Sequence, residues 1–165
     1  MSYDVTIRRT GLYALLDLKG KSEAIRARFG DALPDWPDRP NSRSTRGQEE
    51  LFHIGPHHWL LRGPITGEDG MLTRIDPKTA PPDISIVRVS DTMTFFELTG
   101  PDASEIMSIA CPLDLHFSKF ADNSVSYSEV FTLKALIMRC DDGFEFAVEQ
   151  SFAPLVEDYL NRATI

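Results

Sequence analysis

Two stretches of the chain follow one plan: "LLDLKGKSEAIRARFGDALP" at 15–34 and "FFELTGPDASEIMSIACPLDL" at 95–115. Each opens with an apolar run of strand length. An acid-Leu-x-Gly step closes that run, Asp17-Leu18-Lys19-Gly20 in one copy and Glu97-Leu98-Thr99-Gly100 in the other. A short helix follows, then an exit through Leu and Pro, and after a loop a strand-turn-strand pair. The arrangement predicts an α+β fold of two related ferredoxin-like strand-helix-strand-strand halves, with antiparallel sheets and helices packed on them. The halves cover about 12–90 and 91–165 of a single domain, 1–165.

The remaining elements are placed by period and punctuation. "SEAIRARFG" (22–30) reads as a helix with Ser22 as cap, Ile25 and Phe29 on one face and Gly30 as stop. The segment "DALPDWPDRPNSRSTRGQEE" (31–50) is rich in proline and polar residues without periodicity, and reads as a long loop. "LFHIG" (51–55) and "HWLLRG" (58–63) form a hairpin about a Gly-Pro-His step. A helical turn is expected within 66–76 and a strand at about 84–90. Pro101, Asp102 and Glu105 suit the first turn of a helix over 101–111. Strands are expected near 125–139 and 143–149, turned by Asp141-Asp142-Gly143. The last helix is capped by Ser151 and carries Phe152, Leu155, Val156, Tyr159, Leu160 and Ala163 as an apolar stripe.

At 165 residues, 42% of them hydrophobic and 25% charged, the chain has material for a real core. Its formal net charge of −8 argues against nucleic acid and against anionic membrane surfaces, both of which attract a basic face. "MSYDVTIRRTG" holds no apolar run of signal-peptide length, and no stretch approaches a bilayer span. Cys111 and Cys140 lie outside any CxxC pattern and are expected reduced and buried. The expected location is cytoplasmic.

Chemistry-bearing groups are few. Three of the four histidines fall in "HIGPHH" (53–58). His53 and His57 are four apart, but Gly55 and Pro56 between them forbid a regular helix, so the spacing does not gather the imidazoles. His53 and His58 belong to the flanking strands and His57 to the turn. No third metal ligand stands at familiar spacing, and Trp59-Leu60-Leu61 reads as core. His116 in "LDLHFSKF" could meet Asp114, with Cys111 or Ser118 as nucleophile, but no nucleophile elbow surrounds either. Phosphate-binding glycine patterns are absent. Asp141-Asp142 and Glu49-Glu50 are readily placed in turns or at solvent. No catalytic, cofactor-binding or metal residue is assigned.

One surface feature stands out in this acidic chain. The loop "PDWPDRPNSRSTRGQ" (34–48) carries Trp36, Arg39, Arg43 and Arg46, residue types enriched at protein-protein contacts. These four are the candidate interface residues.

Several motifs occur in a familiar order: "LYALLDLKG" (12–20), "GDALPDWPDRPN" (30–41), "ELFHIGPHHWLLRGP" (50–64), "VRVSDTMTFFELTGPDASEIM" (87–107), "CPLDL" (111–115) and "FEFAVEQSFAPLVEDYL" (144–160). Over 12–163 the chain resembles the gamma subunit of heterotetrameric sarcosine oxidase. It departs from the family at "NSVSYSEVFT" (123–132), where members tend to show a Gly-x-Cys-x-x-Thr-like run, and it is short at the amino terminus. The resemblance implies a fold like that of the folate-binding aminomethyltransferases (glycine-cleavage T-proteins). It implies a non-catalytic scaffold in a complex that oxidatively demethylates sarcosine to glycine. The partners implied are large flavin- and folate-binding subunits; FAD, FMN, NAD, tetrahydrofolate and zinc would sit on other subunits. The alternatives are a stand-alone folate-binding or aminomethyltransferase-like protein, the same subunit in a related N-methyl amine demethylase complex, and a free enzyme using His116 or the "HIGPHH" turn.

Overall fold

The computed structural model describes residues 3–165. In chain order the elements are β1 (Thr6–Arg9), β2 (Tyr13–Lys19), α1 (Ser22–Phe29), β3 (Arg43–Arg46), β4 (Glu49–Gly55), β5 (His58–Pro64), α2 (Glu68–Arg74) and β6 (Ser85–Arg88). There follow β7 (Met93–Thr99), α3 (Ala103–Ala110), β8 (Val125–Val130), β9 (Leu133–Cys140), β10 (Gly143–Glu149) and α4 (Ala153–Ala163). The chain divides into two compact units. One is Leu12–Ser90; the other joins the segment through Gly11 to Asp91–Ile165.

Each unit is a five-stranded antiparallel sheet with two helices, the α+β architecture expected from the paired stretches. In the Leu12–Ser90 unit the strand order is β3-β4-β5-β2-β6, and in the other it is β8-β9-β10-β7-β1. Four strands of each sheet carry ferredoxin-like order, with β3 or β8 added at one edge. The glycine that ends the first strand of each copy explains the acid-Leu-x-Gly step. Gly20 has φ +150° and Gly100 φ +117°, and the Cβ of any other residue would meet a passing backbone, 2.9 Å from the Asp83 carbonyl or 2.6 Å from that of Asp4. The Gly20 N–H donates to His57 O and the Gly100 N–H to Asp142 O, each at 3.0 Å and each in the neighbouring turn.

The backbone passing over those glycines leads into β6 and β1, so these two strands are counterparts. Their sequences agree: "DISIVR" (83–88) beside "DVTIRR" (4–9). β1 pairs with β7, Ile7 opposite Leu98, whereas β6 pairs with β2, Leu18 opposite Ile86. A repeat read continuously along the chain therefore gives its leading strand to the sheet of the other repeat.

Between sheet and helices, Leu16, Leu18, Ile25, Phe29, Trp59, Leu61 and Met71 form the core of the Leu12–Ser90 unit. Phe96, Leu98, Ile106, Met107, Phe144, Phe146, Val156 and Leu160 form that of the other. Burying each such side chain contributes about 1.5–3 kcal/mol before entropy is counted. Leu15, Phe52, Leu60, Phe95, Leu136 and Met138, which alternate with core residues along the strands, are buried as well. Both faces of the central strands are therefore apolar, and they read as continuous runs.

Several local expectations are corrected. The loop over 31–50 contains β3, a polar edge strand whose "RSTR" sequence lacks any apolar signal. Lys21 is the N-cap of α1 and Phe152 that of α4; Ser151 Oγ instead donates to Glu149 Oε1 at 2.7 Å. The expected strand over 125–139 breaks at Phe131 and Thr132, with φ of 51° and 68°. Positive φ at both positions matches the twist of a two-residue hairpin but strains non-glycine residues. Phe131 is held there by its N–H donating to Ala110 O at 2.7 Å and by its ring against Tyr159, centroids 5.3 Å apart. Thr132 is exposed. Thr132→Gly is expected to stabilise the protein by about 0.5–1 kcal/mol, the relieved strain exceeding the added unfolded-state entropy. A urea midpoint that fell instead of rising would refute this reading of the turn.

Candidate functional site

The β4–β5 hairpin separates its histidines. The pairing shifts by one residue between His53 and Gly55, so that Gly55 faces His58 while His53 faces Trp59. This bulge brings the His53 imidazole onto the Trp59 indole, centroids 5.1 Å apart and 21° from parallel. His57 occupies the turn at φ 55°. His58 takes another partner, its Nε2 lying 2.7 Å from Asp17 Oδ2. Among the described residues no three His, Cys, Asp or Glu side chains are grouped so as to hold a metal ion.

Among the described residues, the partners of His116 are local. Its Nδ1 lies 2.8 Å from Ser118 Oγ, and its N–H donates to Asp114 Oδ1 at 3.0 Å. Asp114 thus orders the backbone of a turn, not the imidazole. Cys111 is buried, and loss of hydration pushes its thiol above the ordinary range, away from the thiolate a nucleophile needs. Both cysteines are free thiols, but Cys140 is only half-buried, so the expectation of two buried cysteines holds for Cys111 alone.

The paired carboxylates Glu49 and Glu50 are not at solvent. Glu50 Oε2 accepts from Arg62 Nε at 2.8 Å and Nη2 at 2.5 Å, while Oε1 accepts from Arg43 Nη1 at 3.1 Å. The Arg62 guanidinium is buried and also lies 4.5 Å from the Tyr13 ring centroid. Glu49 pairs with Arg74. Asp141 and Asp142 do lie exposed in a turn.

A groove of about 590 Å³ lies within the Leu12–Ser90 unit, between α1, the segment 36–41 and the β4–β5 turn. Trp36 and Trp59 sit tilted at 50°, centroids 4.8 Å apart, with His53 on the other indole contact. The Arg26 guanidinium lies 5.9 Å from the Trp36 ring centroid. Arg39 and His57 also line the groove. The Trp59 indole N–H is buried and has no hydrogen-bond partner among the described residues.

Of the four candidate interface residues, the groove brings together Trp36 and Arg39. Arg43 is directed to Glu50 in the sheet, and Arg46 is exposed with Nη1 donating to Asp31 O at 3.3 Å. Trp36 is half-buried, packed in part against the core. Sequence reading missed Arg26, His53 and Trp59 as groove residues. The signal for His53 and Trp59 was the hairpin itself, once its bulge is included.

The fold is similar to a chain of heterotetrameric sarcosine oxidase from Corynebacterium sp. U-96, with a TM-score of 0.81 and 20% identity, covering 97% of this chain and 83% of that one. It is also similar to the glycine cleavage system aminomethyltransferase T from Bartonella henselae, with a TM-score of 0.69 and 13% identity. There 96% of this chain aligns with 46% of the other, so it spans under half of that protein. No curated protein sequence matches the chain. The sequence pattern described as "Sarcosine oxidase, gamma subunit family" matches residues 41–165. With both the strand order and this match in hand, the chain belongs to the sarcosine oxidase gamma subunit family.

Proposed function

We propose that the chain is the non-catalytic gamma-type subunit of a heterotetrameric complex that oxidatively demethylates sarcosine to glycine in the cytoplasm, and that it acts by holding larger subunits in place. Those partners would bind flavin and folate, and FAD, FMN, NAD, tetrahydrofolate and zinc would all reside outside this chain. The observation that carries the proposal is the family match over residues 41–165, in a chain whose fold follows that of a heterotetrameric sarcosine oxidase along 97% of its length. The chain's own chemistry agrees with the proposal. The histidines are divided between different partners, and burial pushes the Cys111 thiol above its ordinary range. Among the described residues no helix is long and apolar enough to cross a membrane.

A subunit of this kind contributes by fixing geometry. When reactive centres sit on separate large chains, holding those chains in register turns a chance encounter into a positioned transfer. The test is affinity purification of the tagged chain from its native extract. The expected result is co-elution with large chains at a fixed ratio, with flavin absorbance in the eluate and oxidation of sarcosine by the eluted complex. Elution as a lone monomer, or turnover of an N-methyl amine by the chain alone, would overturn the proposal.

A further inference from the structure

We propose that the groove beside Trp36 receives an extended acidic segment of a large subunit. An apolar side chain of that segment would seat against Trp36, and its carboxylates would meet Arg26 and Arg39. This rests on the subunit reading above and names the face through which it works.

Two observations carry the proposal. The first is charge. The chain as a whole has a formal net charge of −8, yet this groove is lined by the two guanidinium groups of Arg26 and Arg39 and by one carboxylate, that of Asp38. A local cationic hollow in an acidic molecule selects an anionic occupant and steers its approach.

The second is preorganisation. Pro37 and Pro40 stiffen one wall and Pro56 the other. Trp36 is held by Trp59 and approached by Arg26. The turn that carries His57 is fixed by its carbonyl, which accepts from Gly20 N–H at 3.0 Å. Little side-chain or loop freedom is left to lose on binding, the usual tax on a protein contact. Tryptophan and arginine are also the residues that dominate interface energies when they sit in such a hollow.

A peptide segment supplies both requirements together: acidic side chains and an apolar anchor.

The test measures binding of the full chain to the purified large subunits by surface plasmon resonance at low and high salt. The double charge reversal Arg26→Glu with Arg39→Glu changes two exposed side chains and is expected to leave the thermal melt unchanged. It should weaken binding by about tenfold or more, mainly through a slower on-rate, and flatten the salt dependence. Arg28→Glu with Arg46→Glu makes the same change of net charge outside the groove and should leave affinity within about twofold. Hydrogen exchange on the wild-type complex should show protection over 36–41 and 53–57. Equal binding by both double variants, equal weakening by both, or protection confined elsewhere would overturn the groove proposal while leaving the subunit reading intact. Failure of the wild-type chain to bind the large subunits at all would overturn the subunit reading itself. Self-association of the chain that the groove reversal abolishes would assign the groove to a second copy and overturn the proposal.

Discussion

Gly100→Ala is expected to destabilise the protein by about 3 kcal/mol or more, lowering its melting temperature by roughly 6–12 °C. The new Cβ would lie 2.6 Å from the Asp4 carbonyl oxygen and 3.2 Å from Val5 Cα, and both obstacles are backbone. The residue would also have to hold φ at +117°, which an L side chain tolerates poorly. Relief requires moving Asp4, whose N–H donates to Asp102 Oδ2 at 2.7 Å and whose carbonyl accepts from Asp102 N–H at 3.3 Å. The damage therefore spreads from one methyl group to the start of β1 and the N-cap of α3. Gly20→Ala should cost less, because the corresponding approach is 2.9 Å and its next neighbour is at 3.5 Å. Differential scanning calorimetry of both variants checks the pair. A Gly100→Ala protein melting within about 2 °C of its parent would mean that the close passage of backbone over this glycine is wrong.

Glu50→Ala is expected to cost about 3–5 kcal/mol, because it strands the Arg62 guanidinium in the interior with its carboxylate removed. The magnitude for a buried pair applies, since the side chains of Arg62 and Glu50 are only 7% and 17% exposed. Most of this loss reflects an uncompensated cation, not the worth of the pair. The double change Glu50→Leu with Arg62→Met should for that reason recover most of the stability lost in the single variant. Urea unfolding with an unchanged m-value is the measurement. If Glu50→Ala unfolds within about 1 kcal/mol of its parent, Arg62 is better hydrated than its burial indicates.

The same pair shows where sequence reading stops. A two-residue hairpin about Pro56-His57 without a bulge would set Glu50 and Arg62 on opposite faces of the sheet. The one-residue shift between His53 and Gly55 sets Glu50 opposite Arg62 and His53 opposite Trp59. Both the ion pair and the aromatic stack of the groove depend on that shift, and nothing in "HIGPHH" announces it. What was legible is the apolar framework. β2, β5, β7, β9 and β10 are buried on both faces and stand out as runs, and α4 shows its stripe at helical spacing. The missed strands β1 and β3 are "TIRR" and "RSTR", edge strands whose charged side chains deter stray pairing and also erase the hydrophobic signal. In sequence α2 reads as no more than a turn because Gly70 interrupts it, although Met71 within it and Ile75 just beyond anchor it to the core. In the groove, Trp36 and Arg39 could be picked out by residue type alone. Arg43 and Arg46 could not be separated from them until the strand that carries both was known.

The exchange of leading strands has a consequence during synthesis. Arg8 finds Glu97 across 89 residues of chain, so β1 leaves the ribosome long before the strand that will receive it exists. At about 5–20 residues per second the nascent chain waits roughly 4–18 seconds, while the Leu12–Ser90 unit has every one of its own strands and can close first. An unpaired strand idling for that time is a template for aggregation unless water holds it. Arg8 and Arg9 give "TIRR" the solvation to wait, so the charge that hides this strand from sequence reading also guards it before its partner is made.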